Sequence, residues 1–177
     1  MNNSWWKTTD DLDDTQAGIF DLPIDESNLI LGPPGSGKTN LLLLRASQMT
    51  SSEKPNILIL VFTRTLREFI VTGGNEYTFS SQKVQTLDRW RMDFLREQGV
   101  VPASDDDFSK KREKQLAQIQ KAIFARGLGK QYQAIFLDEA QDYLPGELDV
   151  FFKLGDIVFG AADSRQQIYP SVPNASG

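Results

Sequence analysis

The stretch "LILGPPGSGKTNLLLL", Leu29 to Leu44, joins three kinds of local structure end to end. Its first part, within "SNLILG", is a short apolar run ended by glycine and reads as a buried strand. "KTNLLLLRASQM" consists of helix formers that are apolar on nearly every side and reads as a buried helix. The turn between them has the pattern G-x-x-x-x-G-K-T. Gly32, Gly35 and Gly37 leave the backbone free to wrap around an anion, because side chains there would block close approach or forbid the dihedrals; the loop amides then act as receptors for phosphate oxygens. Lys38 opens the helix, whose positive end faces the β and γ phosphates, and its ammonium adds a point charge at the same place. Thr39 has a hydroxyl to offer Mg²⁺. The segment Gly32 to Asn40, with Pro33, Pro34 and Ser36 completing the loop, is therefore the candidate nucleotide-binding element. A Gly-rich turn ahead of a core helix would explain the composition, but not the full motif lying between an apolar strand and an apolar helix.

Outward from this unit the chain alternates strands and helices. "PNILILVFT", Pro55 to Thr63, is too continuously apolar to be half exposed and predicts a strand buried in a parallel sheet. "TLREFIVTGG" predicts a helix stopped by Gly73 and Gly74. "KVQTLDRWRMDFLREQG" runs from a short strand into a helix ending at Gly99. "VVPASDDDFSKKREKQLAQIQKAIFARGLGK" starts with loop composition and continues with Leu116, Ile119 and Ile123 at helical spacing. "QAIFLDEAQD" predicts a further buried strand ending in carboxylates. "DIVFGAAD", Asp156 to Asp163, predicts another, after a short helical stretch around Leu148 to Leu154. Polar residues gathered at the C-terminal ends of strands describe an open, mostly parallel α/β sheet, flanked by helices on both faces, with its ligand along that edge.

Composition narrows the chemistry. At 177 residues, 40% apolar and 24% charged, the chain suits one packed domain with a small insertion. No apolar run approaches the roughly 18 to 20 residues of a membrane span, and the opening "MNNSWWKTTDDLDD" lacks the basic-then-apolar order of a signal peptide. A cytoplasmic protein without membrane contact is expected. The chain has no Cys and no His, which removes thiol nucleophiles, Ser-His-Asp triads and zinc sites built on imidazole or thiolate. Carboxylate, Lys, Arg, hydroxyl and backbone groups remain, the inventory of phosphoryl transfer, and Mg²⁺ as an oxygen-seeking ion fits it. The net charge of −5 argues against a surface that clings everywhere to nucleic acid. From Phe62 to Glu97, however, Arg64, Arg67, Lys83, Arg89, Arg91 and Arg96 outnumber the five acidic residues by one. A solvated helical face would produce the same contrast.

"AIFLDEAQD" places Asp138 and Glu139 where a buried strand leaves the sheet. An Asp there can hold Mg²⁺, and the next carboxylate can take a proton from an attacking water. Acidic residues after a strand also cap helices, the role expected of Asp142 and Asp149. "LDEAQD" together with "GAADSRQQIY" resembles motifs II and III of the UvrD/Rep-like superfamily 1 helicases. Other pieces fall in that family's order: "LDDTQ" resembles its Q motif, the glycine loop its motif I, "LVFTRT" its motif Ia and "VQTLDRW" its motif Ib. The resemblance runs from about Leu12 to Tyr169.

The resemblance implies a P-loop NTPase of RecA-like fold that binds ATP and Mg²⁺, moves 3′ to 5′ on single-stranded DNA, with RNA also open, and acts as a monomer. Lys38 and Thr39 would serve phosphate and magnesium, Asp138 magnesium and Glu139 the water; Gln16 would read adenine, and Gln141 and Gln166 would sense the γ phosphate. Phe62, Thr63, Arg64, Thr86 and Trp90 would line the strand path, with Tyr169 stacking on a base or bracing its loop. Phe62 and Trp90 have core packing as their alternative, and Trp5 and Trp6 have burial as the alternative to covering the adenine. In domain terms, residues 1–11 form a flexible opening, 12–90 and 134–170 the RecA-like motor domain, 91–133 a short helical insertion and 171–177 a truncated end. The family carries a sizeable subdomain where only Arg91 to Gln133 stand here. It also carries an Arg after motif III where "QQIYPSVPNASG" has none, although Arg165 lies inside the motif. The second motor domain, which supplies an arginine finger worth about 10³ to 10⁵ in turnover, is expected in a longer chain. Two other readings of the same residues stay open: a stand-alone ATP-binding regulatory switch without helicase activity, and a phosphotransferase, for which no substrate lid is recognisable.

Overall fold

In the computed structural model, which describes residues 8–51, 56–73 and 77–165, the apolar runs become the strands of one sheet: β1 (Asn28–Gly32), β2 (Ile57–Val61), β3 (Val84–Thr86), β4 (Tyr132–Leu137) and β5 (Gly155–Asp163). All pairings are parallel, in the order β1-β5-β4-β2-β3. Parallel neighbours require crossovers, which helices supply here: α2 (Lys38–Ser51), α3 (Arg64–Gly73), α4 (Leu87–Glu97), α5 (Phe108–Arg126) and α6 (Pro145–Leu154), while α1 (Asp14–Phe20) precedes β1.

The two-residue period of the strands sorts their side chains into two cores. Ile57, Ile59, Val61, Ala134, Phe136, Ile157 and Phe159 pack with the leucines of α2 and with Ile70 of α3. Leu58, Leu60, Ile135, Leu137 and Val158 pack with Trp90, Phe94, Ile119, Ile123 and Phe151 from α4, α5 and α6. Both faces are thus covered, which is why these strands read as unbroken apolar runs. The expected α/β sheet is what forms. Within the segment 91–133, α5 shares the second core with β4 and α6.

A short helix starts just past the acidic opening. Asp13 accepts a hydrogen bond from the Gln16 backbone at 2.9 Å while the Gln16 side chain accepts from the Asp13 N–H at 3.3 Å, a capping box that starts α1. The D-x-x-Q spacing in the sequence was its signal. Trp5 and Trp6 lie outside the described residues.

Helix α2 is buried nearly all round, and Arg45 is buried inside it, only 2% exposed. Its guanidinium donates to the carbonyls of Phe20, Leu22 and Pro23 at 2.6–2.8 Å and lies 5.1 Å from the Phe159 ring centre. Burial pushes its pKa down, against the pull of Asp21. This one side chain fastens the connection between α1 and β1 to the helix that follows the glycine loop. Across the sheet, Arg91 and Glu147 form a buried ion pair at 3.1 Å, and Arg91 also bonds Gln115 and Asp88.

The Arg45→Met variant leaves three carbonyls without their donor and is expected to lose about 2–4 kcal/mol of stability; urea unfolding followed by circular dichroism measures it.

Candidate functional site

The strand order sets the C-terminal ends of β1, β5 and β4 side by side. Gly32 pairs with Asp163, Leu137 pairs with Gly160, and the Ser164 N–H donates to the Gly32 carbonyl at 3.2 Å. The loop after β1, the end of β5 and the Asp138–Glu139 pair after β4 therefore share one sheet edge. In the loop, Gly35 and Gly37 have φ of 78° and 81°, a region that favours glycine. A Cβ on Gly37 would also stand 2.9 Å from the Gln16 amide nitrogen, which donates to the Ser36 carbonyl at 3.0 Å. Gln16 is thus brought to the loop. The Lys38 ammonium donates to the carbonyls of Gly32 and Pro33, each at 2.9 Å. Two of its three protons are used within the loop, and the third has no acceptor among the described residues.

Thr39, one residue into α2, donates its hydroxyl to Asp138 Oδ1 at 3.0 Å. Asp138 is 2% exposed, and its Oδ2 has no hydrogen-bond partner among the described residues. Desolvation pushes its pKa up to about 6, against the Thr39 hydrogen bond and with help from the neighbouring Glu139 charge. A buried carboxylate oxygen without a donor, beside a threonine hydroxyl, is a donor set that fits a hard divalent cation completed by water and phosphate oxygens.

Glu139 is the one non-glycine residue with positive φ among the described residues, at φ 50° and ψ 52°. This left-handed kink costs roughly 1–2 kcal/mol and turns the chain sharply from β4 into the short 3-10 turn Ala140–Asp142. Gln141 secures the kink: its Nε2 donates to Glu139 Oε2 at 2.7 Å, and its Oε1 accepts from the Asp163 N–H at 3.1 Å. Gln141 thus holds the Glu139 carboxylate against the end of β5. Asp163, buried between the glycine loop and Asp138, was not singled out from the sequence, although a carboxylate ending a buried strand was its visible signal. Asp142 and Asp149 do not cap α6; Leu144 occupies that position and its N–H donates to Glu147 at 2.9 Å. Partial burial and the Glu139 charge push the Asp142 pKa up.

The candidate strand-path residues separate. Thr63 is exposed and caps α3, accepting from the Leu66 N–H at 3.1 Å, and Arg64 opens that helix on the surface. Thr86 is buried and caps α4 through the Arg89 N–H. Phe62 is half-buried. Trp90 is excluded from base stacking: it is 3% exposed, Phe94 and Phe151 hold its ring at 5.3 and 5.0 Å, and its indole N–H donates to the Tyr132 hydroxyl. Its alternative as a core aromatic is the one realised. A groove of about 560 Å³ joins Arg64 and Thr86 to Arg67, Arg89 and Arg96, with Glu68, Asp88 and Asp93 interspersed. The extra arginines are those counted in the Phe62–Glu97 segment. Gln166 and Tyr169 lie outside the described residues.

An acid whose pKa is raised by folding keeps its proton where the unfolded chain has lost it, so the penalty for burying Asp138 is absent in acid, grows as pH rises from the unfolded value of 3.8 to about 6, and stays at its full size above that. Asp138→Asn is expected to raise the melting temperature of the ligand-free chain by about 2–6 °C at pH ~8 and to leave it unchanged at pH ~4. Calorimetry at the two pH values checks this.

No family model and no curated protein matches the chain. Among solved structures it is similar to the crystal structure of the Pyrococcus furiosus Hef helicase domain, with a TM-score of 0.49 and 15% identity. That likeness covers 88% of this chain and 33% of the other, so the chain spans about a third of the length of that protein.

Proposed function

We propose that the chain is the N-terminal, RecA-like motor domain of a UvrD-like ATP-dependent DNA helicase or translocase. It would bind ATP with Mg²⁺ and supply half of a hydrolytic site that a second RecA-like domain completes. The observation that carries this reading is the contact of Thr39 with the buried, half-partnered carboxylate of Asp138. The motif order from Leu12 to Tyr169 supports the UvrD-like assignment.

In this reading the loop amides and the third proton of Lys38 receive the phosphates. Thr39 and Asp138 would hold Mg²⁺, which neutralises charge on the phosphate oxygens. Glu139, aimed by its kink and by Gln141, accepts the proton of the attacking water. Gln16, packed on the loop, would read the base, and Gln141 and Gln166 would report the γ phosphate. Single-stranded DNA follows the groove through Arg64, Thr86 and Arg89, with Phe62 as its stacking surface and Tyr169 as a further contact. Residues 12–90 and 134–170 form the motor domain around the insertion 91–133, and the monomeric protein works in the cytoplasm.

Lys38→Ala is expected to weaken binding of a fluorescent ATP analogue by about 10- to 100-fold, and equal binding by wild type and variant would remove the loop from the site. In the protein containing both motor domains, Glu139→Gln is expected to keep that affinity and to lower turnover by about 10²- to 10⁴-fold, as read by phosphate release. Binding to oligo(dT) should weaken steeply with salt; ATP binding indifferent to any oligonucleotide would favour a regulatory switch instead.

A further inference from the structure

Two side chains meet the Phe62 ring. Tyr143 meets it edge-on, with ring centres 5.8 Å apart, and the Arg112 guanidinium lies over its ring at 5.5 Å. Arg112 belongs to the first turns of α5, a segment that the motif reading leaves without a role. Its Nε donates to Glu147 at 2.9 Å, and its Nη2 donates both to Glu147 and to the Asp142 carbonyl, the latter at 2.8 Å. Asp142 closes the short turn that starts at Glu139 and contains Gln141. One guanidinium therefore touches both the aromatic face and the turn that aims Glu139. Among the described residues its Nη1 has no partner.

The two arginines that hold Glu147 are not equally fixed. Arg91 is 1% exposed and also bonded to Gln115 and Asp88, whereas the Arg112 side chain is 12% exposed. If Arg112 withdraws, the buried Glu147 carboxylate still has Arg91 and the Leu144 N–H. It is not left as an unpaired buried charge, the circumstance that makes breaking such pairs so costly. Withdrawal of Arg112 thus leaves Glu147 paired and frees only the exposed Asp142 carbonyl. A base stacking on Phe62 competes for the face that the guanidinium covers.

We propose that Arg112 is a positioning residue that couples a nucleic-acid strand seated on Phe62 to the turn carrying Glu139 and Gln141. This rests on the motor-domain reading given above. Strand binding displaces the guanidinium from the ring, releases the Asp142 carbonyl and alters the hold on Glu139. By linkage, nucleotide bound against that turn changes strand affinity by the same factor.

The test uses the whole chain, a fluorescent non-hydrolysable ATP analogue with Mg²⁺, and oligo(dT). In wild type, saturating oligo(dT) is expected to change analogue affinity by about fivefold or more. Arg112→Lys keeps a cation beside Glu147 but lacks the planar fork that spans Glu147 and the Asp142 carbonyl together. It is expected to fold, to bind each ligand alone, and to bring the ratio to about one. Phe62→Leu, which leaves every ion pair intact and serves if the lysine variant does not fold, is expected to lose the ratio as well when measured at saturating oligo(dT). A wild-type ratio in either folded variant overturns the role of Arg112 and leaves the motor-domain reading standing. Wild type that binds both ligands without coupling does the same. Wild type that binds neither the analogue nor oligo(dT) brings down the motor-domain reading, and this inference with it.

Discussion

A hydroxyl in the first turn of α2 and a carboxylate at the end of β4, separated by 99 positions in the chain, meet at 3.0 Å. Much of the architecture is arranged so that this contact exists. Strand β5 has to lie between β1 and β4 to set their ends at the right separation, and α2 has to leave the glycine loop at the angle that carries Thr39 over the sheet edge. The contact satisfies only one oxygen of Asp138, and the other is buried without a donor. A folded protein tolerates such a group where a ligand supplies what the chain withholds, because the desolvation cost is then recovered on binding.

Around that carboxylate, the geometry of Glu139 is maintained by contacts and not by local preference. A glutamate in the left-handed region is strained, and several groups hold it there. Asp138 continues the ladder to Leu60, Tyr143 is driven into the second core just beyond the turn, and Gln141 bonds the glutamate on one side and the end of β5 on the other. The residue that follows the buried aspartate is thereby turned away from the strand direction and held, through Gln141, against the end of β5.

The far side of the sheet contributes through charge. Glu147 sits between Arg91 and Arg112, close beneath the turn. Its burial among α4, α5 and α6 makes the helical segment after β3 part of the same body as the site, so that α5 does more than cover apolar surface.

The sequence by itself determined the element types and pointed to candidate residues for a site. Unbroken apolar runs can be stable only with both faces covered, which specified a parallel sheet. The spacing of Gly32, Gly37, Lys38 and Thr39 between such a run and an apolar helix specified the loop, and the motif order pointed to Asp138 and Glu139. The capping signal at Asp13 and Gln16 was present and is local, so α1 was legible in principle. Tertiary structure alone decided the remainder. Whether Trp90 faced a groove or the core depended on Phe94, Phe151 and Tyr132, the last two of them distant in the chain, because an amphipathic helix shows its apolar stripe but not what the stripe meets. Strand order, the placing of Asp163 between the loop and Asp138, and the grip of Arg112 on the Asp142 carbonyl likewise come from long-range packing, to which no spacing within a single segment gives access.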